Sequence, residues 1–289
     1  MPQLTKFTAT LPPDHSDDDL AKLLSVLARH VSHGWEEESL PTGEMQCVVY
    51  FTHERLSDEL WAALAEALPS LRLDRETVEE ENWVEAWKEF FTPVEGGSHF
   101  LVLAPWMTEE RAATTRIPII IEPKAAFGTG HHATTALCLD AISLLAAEGK
   151  LQKGMRFLDL GTGSGILAIA CAKLGLSGDG LDIDAAAVDN SVENRDKNDV
   201  PAAGFSVRRG SVDEASGPYG VVLANILAGP LKDMAPQIAT LGSPDGKPLL
   251  VLSGILDIQA DDVEKAYRDQ GFPPARRLAK GEWTALIFE

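Results

Sequence analysis

Three short segments in the second half of the chain contain residue types that bind a nucleoside-bearing ligand. The first is Gly-Thr-Gly-Ser-Gly at residues 161–165, which lies between a strand-like and a helix-like apolar run. The second is Asp182, at the end of the next strand-like run, and the third is Asn225, at the end of a later one. A glycine turn from strand to helix, with an acid at the end of the following strand, is typical of nucleoside binding.

The glycine spacing distinguishes between classes of cofactor. A dinucleotide fingerprint requires G-x-G-x-x-G, but here the third glycine is Gly165 and the dinucleotide position is Ile166. The G-x-G-x-G turn suits a cofactor without phosphates, so we expect S-adenosylmethionine, with Gly161 and Gly163 against it. Asp182 would accept hydrogen bonds from both ribose hydroxyls. The alternative is a glycine turn that serves only strand-to-helix packing.

Two polar positions are candidates for the remainder of the site. Asn225 places an amide at the carboxyl end of a predicted strand, where a carbonyl acceptor can align the N–H groups of a neutral amine. A strand-end turn residue is the alternative. Upstream, residues 127–135 form a second glycine turn, a predicted flap in which Thr134 or Thr135 could cap the following helix or contact a ligand. No strong general base is identifiable.

Neither the histidines nor the cysteines form a metal-site pattern. His30 and His33 have no third ligand nearby, which favours solvent-facing or capping histidines over a metal site. The adjacent His131 and His132 point different ways on any regular element, so no metal is expected there either. The cysteines fit no metal or redox spacing, and we expect them to be reduced, buried and inert. They are Cys47, Cys138 and Cys171.

Composition restricts the class of protein. The chain has 289 residues, enough for two domains, and 45% hydrophobic with 24% charged residues is ordinary for a globular protein. No apolar run approaches the roughly 20 residues of a membrane span, and no apolar signal region follows Met1, so we expect a cytoplasmic protein. The net charge of -19 argues against a nucleic-acid substrate. It either keeps the protein soluble or favours a basic partner.

Residues 1–80 alternate strand-like and helix-like segments. Strands are expected at 6–11 and 47–51, and helices at about 16–33 and 57–68. This order indicates a small α+β domain of the ferredoxin-like kind. Residues 81–123 are interpreted as a connector, with a helical aromatic stripe at 83–91 and short strands at 100–103 and 117–121.

From residue 124 to 289, strand-like and helix-like patterns alternate regularly. Strands are expected near 156–160, 179–182, 205–207, 220–224, 248–252 and 283–288, with helices at 165–175, 185–198, 229–241 and 257–270. This alternation predicts an α/β domain with a parallel, doubly wound, Rossmann-like sheet.

The motifs of this second domain together resemble the bacterial methyltransferases of large-subunit ribosomal protein eleven. The resemblance spans essentially the whole second domain and the connector, and it is weaker over residues 1–80. The motifs that carry it lie at residues 127–135, 158–170, 182–184, 224–231, 252–256 and 281–283.

The resemblance implies a class I methyltransferase that N-methylates lysine side chains and the N-terminal α-amine of that ribosomal protein. Matched to the family motif, Thr135, Gly161, Asp182 and Asn225 become cofactor-binding positions, with Asn225 beside the methyl group and the amine. The family's small N-terminal domain recognises the substrate, which we expect of residues 1–80.

Two departures and two alternatives accompany the resemblance. Ala133 replaces a proline common in the family's flap, and the stretch from Gly165 to Asp182 is one residue shorter than in some members. A different protein-lysine or small-amine methyltransferase could share the catalytic domain. The other alternative is a non-catalytic binding module, against which the intact glycines and Asn225 argue.

Overall fold

The computed structural model of this chain describes residues 3–31, 35–51, 54–79, 92–122, 132–243 and 246–289. The chain separates into two compact units, residues 1–91 and residues 92–289. The predicted aromatic stripe at 83–91 lies outside the described residues, as do residues 127–131 of the predicted flap. Within the described ranges, no helix has the length and apolar character to cross a membrane.

The first unit is a four-stranded sheet with two helices. In chain order its elements are β1 (Gln3–Leu11), α1 (Asp17–His30), β2 (Glu36–Ser39), β3 (Met45–Phe51), α2 (Glu54–Ala67) and β4 (Arg72–Glu79). The strand order is β2-β3-β1-β4 with all neighbours antiparallel. The expected helices and the strands at 6–11 and 47–51 are present. The polar sequences of β2 and β4 offered no apolar pattern from which to predict them.

Alternation along β1 and β3 builds the core of the first unit. Phe7 is fully buried, and its ring meets Phe51 at 6.3 Å and Trp61 at 6.0 Å between ring centroids, both edge to face. The apolar stripes of α1 and α2 pack with these residues, which places both helices in one core with β1 and β3.

The second unit begins with a three-stranded sheet in the order β5-β6-β7. Its elements are β5 (Val94–Gly96), β6 (Phe100–Leu103), α3 (Thr108–Ala113) and β7 (Ile117–Ile120). The strands expected at 100–103 and 117–121 are therefore found. Their buried side chains, including those of Phe100 and Ile119, join the core of the larger sheet that follows.

That larger sheet has seven strands in the order β10-β9-β8-β11-β12-β14-β13. Its elements are α4 (Ala133–Ala147), β8 (Arg156–Leu160), α5 (Ile166–Lys173), β9 (Ser177–Asp182), α6 (Ala185–Lys197), β10 (Phe205–Arg209), β11 (Val221–Asn225), α7 (Ala228–Asp233), α8 (Ala235–Ile238), β12 (Leu249–Leu256), α9 (Ala260–Asp269), β13 (Arg276–Lys280) and β14 (Trp283–Phe288).

The prediction of a wholly parallel sheet was wrong. Strand β14 runs antiparallel to both β12 and β13, so the sheet is mixed. Only Gly281 and Glu282 separate β13 from β14, and a two-residue connection can join antiparallel strands but not parallel ones. The expected helix at 229–241 is also divided into α7 and α8, because Pro236 lies in the first turn of α8 and has no N–H for a continuous helix.

Helices cover both faces of the seven-stranded sheet, as a doubly wound fold requires. On one face of the sheet, side chains such as Phe157 and Leu223 pack with α4 and α5. On the other face, side chains such as Leu158 and Val222 pack with α7, α8 and α9. Strand order reverses between β8 and β11, because β9 lies on one side of β8 and β11 on the other. In open α/β sheets, the carboxyl ends of the strands at such a point form the ligand-binding crevice.

Candidate functional site

The glycine turn lies directly at the carboxyl end of β8. The backbone N–H groups of Gly161 and Thr162 both donate to the carbonyl oxygen of Leu181 on β9, at 2.8 and 3.0 Å. Gly161, Gly163 and Gly165 have φ values of +69°, +54° and +81°, which side chains other than glycine rarely adopt. The turn is therefore fastened to the end of the neighbouring strand, close to Asp182.

Asp182 holds the glycine turn through its carboxylate. Its Oδ2 accepts from the N–H of Gly163 at 2.9 Å, and its Oδ1 accepts from the N–H of Asp184 at 3.0 Å. Asp184 then caps α6 by accepting from the N–H of Ala186 at 2.9 Å. Because each carboxylate oxygen has a second lone pair, Asp182 can still accept two further hydrogen bonds.

Asn225 and Thr135 are brought together although they lie 90 positions apart in the chain. The Nδ2 group of Asn225 donates to Oγ1 of the fully buried Thr135 at 3.2 Å. The Oδ1 atom of Asn225 is buried and has no hydrogen-bond partner among the described residues. A buried, unpaired amide oxygen is costly unless a ligand donates to it, so this atom marks a site for an N–H or O–H donor.

At the start of α4, neither Thr134 nor Thr135 is the cap, which was one of the two roles left open for them. The N-cap residue is His132, whose Nδ1 accepts from the N–H of Thr134 at 3.3 Å and lies 2.7 Å from its hydroxyl. Burial lowers the pKa of His132, an effect that the nearby Glu282 opposes. The imidazole ring also meets the Trp283 ring edge to face, with 5.1 Å between centroids.

Asp159 is a second buried acid beside the glycine turn, and sequence reasoning assigned it no role. Its Oδ2 accepts from the Thr162 hydroxyl at 2.8 Å and from the N–H of Ala168 at 3.2 Å, which ties the turn to α5. Its Oδ1 has no hydrogen-bond partner in the described part of the chain. Burial raises the pKa of Asp159 to about 7, although both hydrogen bonds act in the opposite direction.

Ser253 and Gly254 on β12 also escaped assignment, although both contact residues of the site. The Ser253 hydroxyl donates to the carbonyl oxygen of Thr134 at 3.1 Å. The backbone carbonyl of Ser253 accepts from the N–H of Ile226, also at 3.1 Å. A glycine inside a strand pattern is the available signal, since it often marks a bulge or a close backbone approach.

The cysteines and histidines that the structure describes take part in no cluster of potential metal ligands. All three cysteines are free and buried. Burial raises the pKa of the Cys47 thiol to about 12, and it also raises the pKa values of the Cys138 and Cys171 thiols. Across the described ranges, no group of three or more potential ligands could hold a metal ion. His33 and His131 lie outside those ranges.

Comparisons with known proteins agree on one family. The model of the family described as ribosomal protein L11 methyltransferase (PrmA) matches residues 21–289. The ribosomal protein L11 methyltransferase of Desulfitobacterium hafniense is 38% identical over 211 residues, and the match covers 73% of this chain but only 65% of that protein. The protein of the same name from Thermus thermophilus is 40% identical over 215 residues, with 74% and 79% covered.

A solved structure extends the likeness to three dimensions. The ribosomal protein L11 methylase from Lactobacillus delbrueckii subsp. bulgaricus superposes with a TM-score of 0.60 at 28% identity. The superposition covers 69% of this chain and 98% of that one.

Proposed function

Because this chain belongs to the ribosomal protein L11 methyltransferase family, we propose that it transfers methyl groups from S-adenosylmethionine to amino groups of ribosomal protein L11. The acceptors are lysine side chains and the N-terminal α-amine. The observation that carries the proposal is the buried, unpaired Oδ1 of Asn225, since an N–H donor is what this atom lacks. It lies at the same sheet edge as the glycine turn and Asp182, where strand order reverses.

The residues at this edge fit S-adenosylmethionine. Asp182 keeps two free lone pairs for the two ribose hydroxyls, while Oδ2 accepts from Gly163 in the turn and Oδ1 accepts from Asp184. Gly161 and Gly163 are the proposed backbone contacts of the cofactor on this turn, and Thr135 meets the end of β11 through its hydrogen bond with Asn225. When bound, the cofactor supplies a methyl group activated by its sulfonium.

Asn225 is the proposed catalytic residue because its amide has a fixed orientation. Its Nδ2 is bound to Thr135, so Oδ1 is the atom left to accept an N–H of the amine and to aim the nitrogen lone pair. The amine must react in its neutral form, and an unperturbed lysine has a pKa of about 10.4. Transfer of the lysine out of water lowers that pKa and so reduces the cost of deprotonation.

The first unit is the proposed site of protein recognition. Its strand order β2-β3-β1-β4, with one helix after β1 and one after β3, supports a ferredoxin-like domain. A net charge of -19 supports a protein rather than a nucleic-acid substrate. A ribosomal-protein substrate places the reaction in the cytoplasm.

Intact-mass spectrometry of ribosomal protein L11, incubated with the enzyme and S-adenosylmethionine, tests the proposal. We expect methyl-sized mass increments with wild type, and a rate at least about 100-fold lower with Asn225→Ala. Gln237→Ala, which removes an exposed amide of α8, is the matched control and should retain the wild-type rate. Asp182→Ala should weaken cofactor binding at least about 10-fold by calorimetry, while Asn225→Ala keeps much of it.

Two results would contradict the assignment. Equal cofactor affinity in wild type and Asp182→Ala would remove the ribose role of Asp182. No mass increment on L11 despite cofactor binding would reject L11 as substrate, and a panel of small amines run in parallel would then identify a different acceptor.

A further inference from the structure

Strand β12 is interrupted next to the site. Its register with β14 shifts between Leu252 and Ile255, and Gly254 inside this bulge has a φ of +82°. Bulges beside active sites re-aim the groups around them and are structural features rather than defects. This bulge lies beside the end of β11, because Asn225 pairs with Ser253 in the parallel ladder.

Gly254 lies directly against the backbone of Ile226, the residue after Asn225. A Cβ added at Gly254 would lie 2.8 Å from the carbonyl carbon of Ile226 and 3.1 Å from its nitrogen, with the carbonyl oxygen closer still. These are backbone atoms, which cannot rotate away as the end of a flexible side chain can. Any larger residue at 254 therefore has to displace the Ile226 peptide.

A second glycine, Gly161 in the turn after β8, confines Ile226 from the other side. A Cβ added at Gly161 would lie 2.5 Å from Cγ2 of Ile226. Strand β11 lies between β8 and β12 in the sheet, so Ile226 occupies a slot bounded by Gly161 on one side and Gly254 on the other.

Ser253 joins this slot to the start of α4. Its carbonyl accepts from the N–H of Ile226, and its fully buried hydroxyl donates to Thr134, the neighbour of the Thr135 that holds the Asn225 amide. The segment 225–227 contains no proline to restrict its backbone, so its conformation depends on such contacts.

We propose that Gly254 and Ser253 are positioning residues, which place the Ile226 peptide and through it the amide of Asn225 for methyl transfer. The expected effect on methyl transfer rests on the proposed function, whereas the placement of the Ile226 peptide does not. A displacement of about 1 Å can cost about 100-fold in rate, so a small shift of this peptide is enough to reduce turnover.

The test compares Gly254→Ala with Gly154→Ala. Gly154 has a φ of +86°, and a Cβ added there meets nothing within 4 Å. Both variants therefore place alanine in a left-handed backbone conformation, but only Gly254→Ala displaces a neighbour. For Gly254→Ala we expect kcat for L11 methylation to fall about 100-fold with cofactor affinity within a few-fold of wild type. Gly154→Ala should keep the wild-type kcat.

The side-chain amide resonance of Asn225, followed by ¹⁵N nuclear magnetic resonance, reports the geometry without any substrate. It should shift in Gly254→Ala and remain in place in Gly154→Ala. An unshifted resonance, or a kcat equal to wild type, overturns the inference. A shifted resonance in an enzyme whose wild type does not methylate L11 contradicts the proposed function and leaves the positioning role intact.

A second variant covers the case in which Gly254→Ala does not fold. Ser253→Ala adds no atom and removes the hydroxyl that hydrogen-bonds to Thr134 and to the thiol of Cys138. We expect kcat to fall about 10-fold, and the Asn225 resonance to shift, with cofactor affinity unchanged. An unchanged kcat and resonance in Ser253→Ala would overturn the role of this residue.

Discussion

Asp159 is the residue whose environment conflicts most with its charge. It is 1% exposed, one of its oxygens has no partner in the described part of the chain, and burial raises its pKa to about 7. In the unfolded chain the same carboxyl has a pKa of about 4. The folded protein therefore favours the protonated acid, and holding the carboxylate at higher pH costs stability.

The sign of the resulting pH dependence follows from these two pKa values. The contribution of Asp159 to stability is fully present below about pH 4, and it declines by roughly 1.4 kcal/mol per pH unit until about pH 7. We predict that Asp159→Asn removes this decline. The free energy of unfolding of the variant should therefore rise relative to that of wild type between pH 4 and pH 7. Urea unfolding across this range measures the difference.

Asp233→Asn is the control for this experiment, because it makes the same chemical change at an exposed position on α7. Its unfolding free energy should follow the wild-type pH dependence. If Asp159→Asn also follows it, the carboxyl does not titrate as described.

The positions of the candidate site residues at strand ends were predictable where their signal is local in the sequence. Glycines 161 and 163 and Asp182 stand at strand ends that the apolar pattern already marks, and Gly163 and Asp182 are in fact hydrogen-bonded. The contact of Asn225 with Thr135 joins residues 90 positions apart, and no local pattern encodes it. The resemblance to a family assigned both residues to the site, but it did not reveal that one binds the other.

At the level of elements, side-chain amides extend the ladder of β7. Asn198 on the loop after α6 accepts from the N–H of Ile120 at 2.8 Å and donates to its carbonyl at 2.6 Å, as a neighbouring strand would. Asn194 accepts from the N–H of Glu122 at 2.9 Å. The small sheet is thus fastened to the helix that follows Asp182.

We predict that Asn198→Ala destabilises the second unit by about 2–4 kcal/mol, because it leaves a buried N–H and a buried C=O of Ile120 without partners. Urea unfolding measures this loss. The control is Asp196→Ala, which removes an exposed carboxylate near the same helix end and should change stability by less than about 1 kcal/mol. A loss below about 0.5 kcal/mol in Asn198→Ala would show that water satisfies the freed groups.

Two of the strands that sequence reasoning missed share a physical cause. Strand β13 reads Arg-Arg-Leu-Ala-Lys and is mostly exposed at the sheet edge, so it needs no apolar alternation. Strand β2 consists of three glutamates and a serine, and it too is an edge strand. Such strands are held by backbone pairing to a neighbour, which leaves no trace in hydropathy. The reversed direction of β14 was hidden for the same reason, because it follows from the unrecognised hairpin with β13.

On the scale of the whole molecule, each unit has a core of its own. The first unit buries Phe7 and Phe51 among the leucines of its two helices, and the second buries both faces of its large sheet. All proposed cofactor residues belong to the second unit, whereas the match to the family model already begins at residue 21 in the first. A deletion can therefore test the proposed division of cofactor binding and substrate recognition between the two units.

We predict that residues 92–289 fold and bind S-adenosylmethionine within a few-fold of the full-length affinity, but methylate L11 at least about 100-fold more slowly. The cofactor residues Thr135, Gly161 and Asp182 and their hydrogen bonds all remain, so calorimetry should detect the same binding site. What is lost is the unit proposed to bind the protein substrate, and with it the effective concentration of the amine. A free small amine at high concentration needs no such surface and should be methylated at similar rates by the fragment and the full chain. Undiminished methylation of L11 by the fragment would instead place substrate recognition in the second unit.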